Sequence, residues 1–308
     1  MSKYQMLFEP HGSALTPNLP VFTEYDSDSY DDISRSRYVE TRVAQLRSWH
    51  QDNPIADVER YEIQYQNGDY TGTGIVYRPK TDRILPVFVY FHGGNFTTLS
   101  NVCYEYECAE IAYAGECVVF NFDYRLSPEH RYPVPLEDCF AALQEAVRMA
   151  PEYRADASRL AVGGDSAGSN LAAGLELYIR DHSGPKIHCM ALCYPVVGTE
   201  ILDIEQLQND PILAYYLPDN MDAVNPLYAS PLSDPSPEKT PPVLLVVGSC
   251  DFLLEDNLKY ARKLLCAGVD IRLAYFEGAP HGFIQMVTPD GLASLSTISE
   301  YLKEQLNK

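Results

Sequence analysis

Gly164-Asp165-Ser166-Ala167-Gly168 is the stretch of the sequence whose residue types and spacing most clearly promise chemistry. It fits G-x-S-x-G, with an apolar run before it and a helical pattern after it, the setting that lifts a serine hydroxyl above a sheet on a sharp strand-to-helix turn. The small flanking residues permit the tight backbone, and the following helix points its positive end at the place where an oxyanion would develop. A serine hydroxyl is a weak nucleophile. It needs a base, and the base needs an orienting carboxylate, in the chain order Ser, acid, His on this kind of turn. Downstream there are three histidines, His182, His188 and His281. His182 falls at the far end of the helix that starts at Ser166, and His188 opens a strand at the wrong end. His281, in Gly278-Ala279-Pro280-His281-Gly282-Phe283 after the last strand, is the expected base. Asp251 follows a strand through Gly248-Ser249-Cys250 and is the expected acid, while Glu255 and Asp256 read as ordinary first-turn helix acids. Backbone N–H groups of Gly93, Gly94, Asn95 and Ala167 are the expected oxyanion hole, one such donor being worth on the order of 3 kcal/mol in the transition state. His92 is expected to order that loop, and Asp165 to support the serine turn.

The elements that must position these groups follow from periodicity. Arg60–Gln66 alternates as a strand, Asn67-Gly68-Asp69 signals a turn, and Gly72–Tyr77 returns. Strands at 86–91, 117–122, 160–163, 187–194, 243–247 and 271–276 then alternate with helices at 103–114, 138–149, 167–180, 258–267 and 293–306. Such alternation predicts a mostly parallel sheet of about eight strands, opened by an antiparallel pair and covered by helices on both faces. Residues 56–308 form the expected catalytic domain. Residues 1–55, with a helix over 33–50, and an insertion at 196–242, with a weak helix over 201–208, form an expected cap.

The composition narrows the partners. A formal net charge of -20 argues against nucleic acid and against an anionic membrane surface, because both need clustered Lys and Arg. The acidity reads mainly as solubility. Eight cysteines show no CxxC pair, and Cys103 with Cys108 lacks a nearby histidine, so no metal is expected. The cysteines read as reduced, which suggests the cytoplasm. No signal peptide and no membrane-spanning run is expected, the longest apolar stretch being Ile84–Phe91.

Taken together, the motifs resemble the hormone-sensitive-lipase-like esterases of the α/β-hydrolase superfamily. The resemblance rests on Tyr90-Phe91-His92-Gly93-Gly94, Asp123-Tyr124-Arg125-Leu126-Ser127-Pro128-Glu129-His130, Gly163 to Leu171, Tyr228-Ala229-Ser230-Pro231-Leu232, Asp251 and His281-Gly282-Phe283, in the family's order from about residue 60 onward. It implies hydrolysis of short- to medium-chain carboxylic esters without a cofactor, a cap built from the N-terminal helices and an insertion, and homodimerisation through the last strand, here 271–276. It also places the oxyanion donors at Gly94 and Asn95 with Ala167. Asn95 stands where the family usually has a third glycine, and an altered substrate preference is expected from its side chain. Two other readings stay open: a non-catalytic binding protein on the same fold, and a deacetylase or acyltransferase acting on a sugar or natural-product ester. Phe96, Tyr25, Tyr30, Tyr215 and Tyr216 are candidate pocket aromatics.

Overall fold

The computed structural model describes residues 5–9, 32–50, 55–198, 204–210, 212–222, 224–286 and 288–308. The antiparallel opening expected from the sequence is β2 (Val58–Asn67) and β3 (Tyr70–Pro79), paired from Val58↔Pro79 to Asn67↔Tyr70. Gly68 starts the two-residue turn between them with φ +58°, a conformation that glycine adopts without cost and that matches the twist of a tight hairpin. The chain then alternates: β4 (Leu85–Phe91), α2 (Glu105–Gly115), β5 (Val118–Phe122), α3 (Val134–Met149), β6 (Ala155–Asp165), α4 (Ala167–His182), β7 (Cys189–Cys193). After the insertion come β8 (Val243–Cys250), α7 (Leu254–Cys266), β9 (Ile271–Pro280) and α8 (Pro289–Leu306).

The strand order is β1 (Gln5–Glu9)-β9-β8-β7-β6-β4-β5-β3-β2, with only the β2–β3 and β3–β5 pairs antiparallel. Crossover helices put apolar cover on both faces, so the central strands are largely buried; every residue of β4 is buried. Alternate side chains serve two cores. Val87, Val89 and Phe91 join Leu136, Leu143, Leu171 and Leu264 on the face covered by α3, α4 and α7. Phe88 and Tyr90 join Ile111, Leu295, Ile298 and Leu302 on the face covered by α2 and α8.

The ninth strand, β1 (Gln5–Glu9), lies in a stretch where no strand is expected from the sequence. It pairs parallel with β9, Gln5↔Arg272 to Glu9↔Phe276. β1 thus lies along the backbone edge of β9, the strand through which the resemblance implies a dimer. The helix expected over 33–50 is α1 (Asp32–His50). The weak helix expected over 201–208 is α5 (Ile204–Asn209), followed by a single turn, α6 (Leu213–Tyr216). Among the described residues no helix is long and apolar enough to cross a membrane.

Candidate active site

β6 ends at Asp165 and α4 begins at Ala167, so Ser166 alone turns the chain, with φ +50° and ψ −117°. That conformation is costly for a residue with a side chain, and it persists because its surroundings leave no alternative. A Cβ at Gly164 would meet the Phe91 carbonyl oxygen at 2.2 Å, and one at Gly168 would meet it at 2.0 Å. The glycines of the motif therefore exist so that the turn can press against the end of β4.

The other two side chains arrive from neighbouring strand ends. Asp251 follows β8, and His281 follows β9 directly. Ser249 Oγ accepts a hydrogen bond from Gly278 N–H at 2.7 Å, which ties the two loops together. Asp251 Oδ1 accepts from Leu253 N–H at 2.8 Å, leaving Oδ2 to take His281 Nδ1 at 2.9 Å. His281 Nε2 lies 2.9 Å from Ser166 Oγ. With the Nδ1 proton given to the carboxylate, Nε2 is left as the acceptor for the hydroxyl. The Asp251 side chain is almost fully buried, and that of His281 is a quarter exposed. The Tyr194 ring, at 4.8 Å between centroids, and the exposed Phe252 ring, at 4.6 Å, pack on the imidazole. The rejected candidates lie elsewhere: His182 stacks on Tyr178, His188 Nδ1 accepts from Leu160 N–H, and Glu255 and Asp256 pair with Lys259.

The loop after β4 divides its N–H groups between two tasks. Gly93 N–H donates to Asp165 Oδ1 at 2.8 Å and also approaches the Tyr104 hydroxyl, so it is committed inward. This removes Gly93 from the expected oxyanion donors. Among the described residues no acceptor takes the N–H of Gly94, Asn95 or Ala167. Gly94 has φ +112° and Asn95 φ +55°. Asparagine is among the few non-glycine residues that enter the left-handed region readily, which explains how it stands in for a glycine here. Its Oδ1 is buried with no hydrogen-bond partner among the described residues.

His92 is held within the loop by three contacts. Its Nδ1 contacts the Gly93 carbonyl at 2.6 Å, its ring stacks on Tyr124 at 4.5 Å, and the Tyr124 hydroxyl donates to the His92 carbonyl at 2.7 Å. The Asp123-Tyr124-Arg125 motif is thus a brace. Arg125 holds the buried Asp138 with two side-chain bonds of 2.8 and 2.7 Å. Asp165 is the second brace, and its carboxylate collects Tyr90, Tyr104, Gly93 N–H and Gln285. Burial pushes this carboxyl up from the ordinary aspartate range, and the hydrogen bonds from Tyr90, Gln285 and Gly93 oppose that. Tyr90, Tyr104 and Gln285 were missed in the sequence. The first two sit in apolar, element-forming patterns, and only the buried carboxylate beside the serine signals that it needs donors.

Phe96 and Tyr216 are brought together, their rings parallel at 3.9 Å, but both are fully buried. They clamp α6 onto the loop and offer no open face, contrary to the expectation that they line the pocket. Tyr215 is half-buried, and Tyr25 and Tyr30 lie outside the described residues. A cleft of about 730 Å³ opens beside His92, between α1 and the 123–130 segment, lined among others by Tyr70, Leu99 and Leu126. Among the described residues no group of three His, Cys, Asp or Glu side chains could hold a metal ion.

A serine on a strand–turn–helix, with histidine and aspartate delivered by later strand ends of a sheet in this order, is the arrangement of an α/β hydrolase. Residues 88–285 match the family model described as alpha/beta hydrolase fold. The chain is 30% identical over 256 residues to carboxylesterase NlhH of Mycobacterium tuberculosis, covering 79% of this chain and 80% of that one. It is 28% identical over 252 residues to ethyl acetate hydrolase of Pseudomonas putida, covering 75% and 78%. Among solved structures, a hyperthermophilic esterase from the archaeon Pyrobaculum calidifontis superposes with a TM-score of 0.76 at 27% identity, covering 89% of this chain and 92% of that one. The thermostable carboxylesterase EstE1, cloned from a metagenomic library, gives 0.78 at 27% identity, covering 90% and 98%. The chain belongs to the hormone-sensitive-lipase-like family of α/β-hydrolase-fold proteins.

Proposed function

We propose that this carboxylic ester hydrolase cleaves short- to medium-chain esters through an acyl-enzyme on Ser166. The observation that carries the mechanism is His281, which bridges Ser166 Oγ and Asp251 Oδ2 at 2.9 Å on each side. In the first step Nε2 takes the hydroxyl proton as Oγ attacks the ester carbonyl. The negative charge forming on the carbonyl oxygen is met by the N–H groups of Gly94, Asn95 and Ala167. The imidazolium, stabilised by Asp251, then protonates the departing alcohol. In the second step the same nitrogen activates water against the acyl group and returns the proton to Ser166. The cap would be α1 with the insertion that carries α5 and α6. A reducing compartment, the cytoplasm, fits the eight unpaired cysteines, six of them buried.

Ser166→Ala is expected to fold with an unchanged melting temperature and to lose roughly 10⁴- to 10⁶-fold in turnover of a p-nitrophenyl acyl ester. A fluorophosphonate is expected to label the native chain and not the variant. Native-like turnover by Ser166→Ala overturns the mechanism. A native chain that fails both to turn over esters and to take the label would favour the ligand-binding reading instead. Short alkyl esters compared with sugar and aryl acetates, with and without acceptor alcohols, separate ester hydrolysis from deacetylation and acyl transfer.

A further inference from the structure

Ser166 and His281 come from different loops, and the 2.9 Å between them holds only if those loops are tied. Among the described residues, one side chain of the His281 loop reaches the carboxylate beside the serine: Gln285, four residues on, donates from Nε2 to Asp165 Oδ2 at 2.8 Å. The same Nε2 lies 2.5 Å from the Tyr104 hydroxyl. Asp165 in turn holds the oxyanion loop through Gly93 N–H at 2.8 Å. The serine turn, the oxyanion loop and the histidine loop therefore meet at one buried carboxylate. Gln285 also faces outward through its backbone. Its carbonyl accepts from Arg42 Nη2 of α1 at 2.7 Å, and that guanidinium lies 3.8 Å from Glu107 Oε1 of α2, with both side chains buried.

We propose that Gln285 is a positioning residue for ester hydrolysis, setting His281 against Ser166 through Asp165, and that Arg42 makes this setting depend on the docking of α1. The proposal rests on the serine mechanism above. A glutamine suits the task because it is neutral: it can donate to a carboxylate while its carbonyl end stays uncharged, whereas a lysine would add a charge to a buried site. Arg42 suits its own because a guanidinium can give separate N–H groups to a backbone carbonyl and to a carboxylate at once. Docking α1 then fixes the backbone of the residue whose side chain holds the hub, so a helix that lines the cleft beside His92 and the reacting pair share one link.

The test begins with Gln285→Leu, which keeps the bulk and removes the donor. A misplacement of about 1 Å in a reacting pair costs up to 10²-fold in rate. The expected result is a 10- to 100-fold fall in kcat, KM within about two-fold, and an equal slowing of fluorophosphonate labelling at Ser166. Gln285→Glu adds a readout that packing alone would not move. Two carboxyls sharing one proton can restore the bond, and two carboxylates repel. Its activity relative to the native chain should therefore fall as pH rises. The ionisable groups facing this pair are Tyr90, Tyr104, Tyr124, Tyr194, Cys108, Cys193, Glu107, His92 and Arg42. Burial holds those tyrosines and cysteines protonated through the range assayed. The Arg42→Met/Glu107→Gln double variant is expected to lower kcat as well, and adding Gln285→Leu to it should cost less than the product of the separate effects. Native kcat and labelling in Gln285→Leu, or a Gln285→Glu ratio flat with pH, overturns the positioning role. Full multiplicativity overturns the link to α1. If Gln285→Leu does not fold, the Gln285→Glu profile decides alone. Turnover by Ser166→Ala would instead sink the mechanism on which this rests.

Discussion

At the scale of single residues, the site is governed by backbone positions that tolerate almost nothing else. Gly94 combines φ +112° with a virtual Cβ only 2.1 Å from the Thr98 carbonyl oxygen. Gly94→Ala must move the loop and its N–H, and the loss of one oxyanion donor costs about 10²- to 10³-fold in kcat. Steady-state kinetics on a p-nitrophenyl ester should show that fall with little change in melting temperature, and a kcat within three-fold of native would remove Gly94 from the oxyanion hole. Asn95 differs because its part in the proposed oxyanion hole is played by its backbone N–H. Asn95→Gly is expected to keep kcat within a few-fold on a small ester while changing the ranking of bulkier ones, since it deletes the buried side-chain oxygen that has no partner. The serine, aspartate and histidine were legible in the sequence because chain order and strand ends leave few choices. The inward commitment of Gly93 was not, because a glycine in such a loop announces closeness of backbone without saying to what.

At the scale of elements, periodicity announced every strand of the sheet except β1. A five-residue strand with no helix or turn signal beside it carries no pattern of its own, and its place is decided by the unsatisfied edge of β9. That edge is the reason for an element-scale expectation. Removing residues 1–9 uncovers the backbone groups of Arg272 to Phe276 that β1 pairs with. Open edges recruit other chains. Light scattering after gel filtration should show the shortened chain shifting toward larger species with rising concentration, relative to the full chain. Identical elution of the two would mean that β1 does not guard the edge. The proposed cap illustrates the opposite limit of legibility. The helix over 33–50 was readable from its spacing. The stacking that fastens α6 to the loop after β4 joins Phe96 and Tyr216 across a long sequence gap, and composition assigns two such aromatics to a pocket as readily as to a clamp.

At the scale of the whole molecule, the strand ends that build the site are held by a core that also buries charge, and this sets how stability follows pH. Glu107 is fully buried between α1 and α2. Burial pushes its carboxyl up to about 7, Arg42 draws it down, and Asp165 pushes it up again. Its second oxygen has no hydrogen-bond partner among the described residues. A carboxyl that holds its proton more tightly folded than unfolded contributes stability below its unfolded value near 4.5, and that contribution is lost as pH rises toward 7. Burial of Asp165 acts in the same direction. Glu107→Gln keeps the shape and removes the ionisation, so its melting temperature should rise above that of the native chain increasingly between about pH 5 and pH 7 and stay above it beyond. The full difference for a shift of this size is on the order of 3 kcal/mol. Calorimetric melts at half-unit pH steps measure it, and two parallel curves would show that Glu107 stays ionised in the fold across the whole range. The comparison also separates two roles of the Arg42–Glu107 contact. If the charge on Glu107 serves only to hold Arg42 at the Gln285 carbonyl, the stabilised variant should lose kcat as it gains melting temperature. If Arg42 is held by that carbonyl and the surrounding core, the variant gains stability with kcat intact.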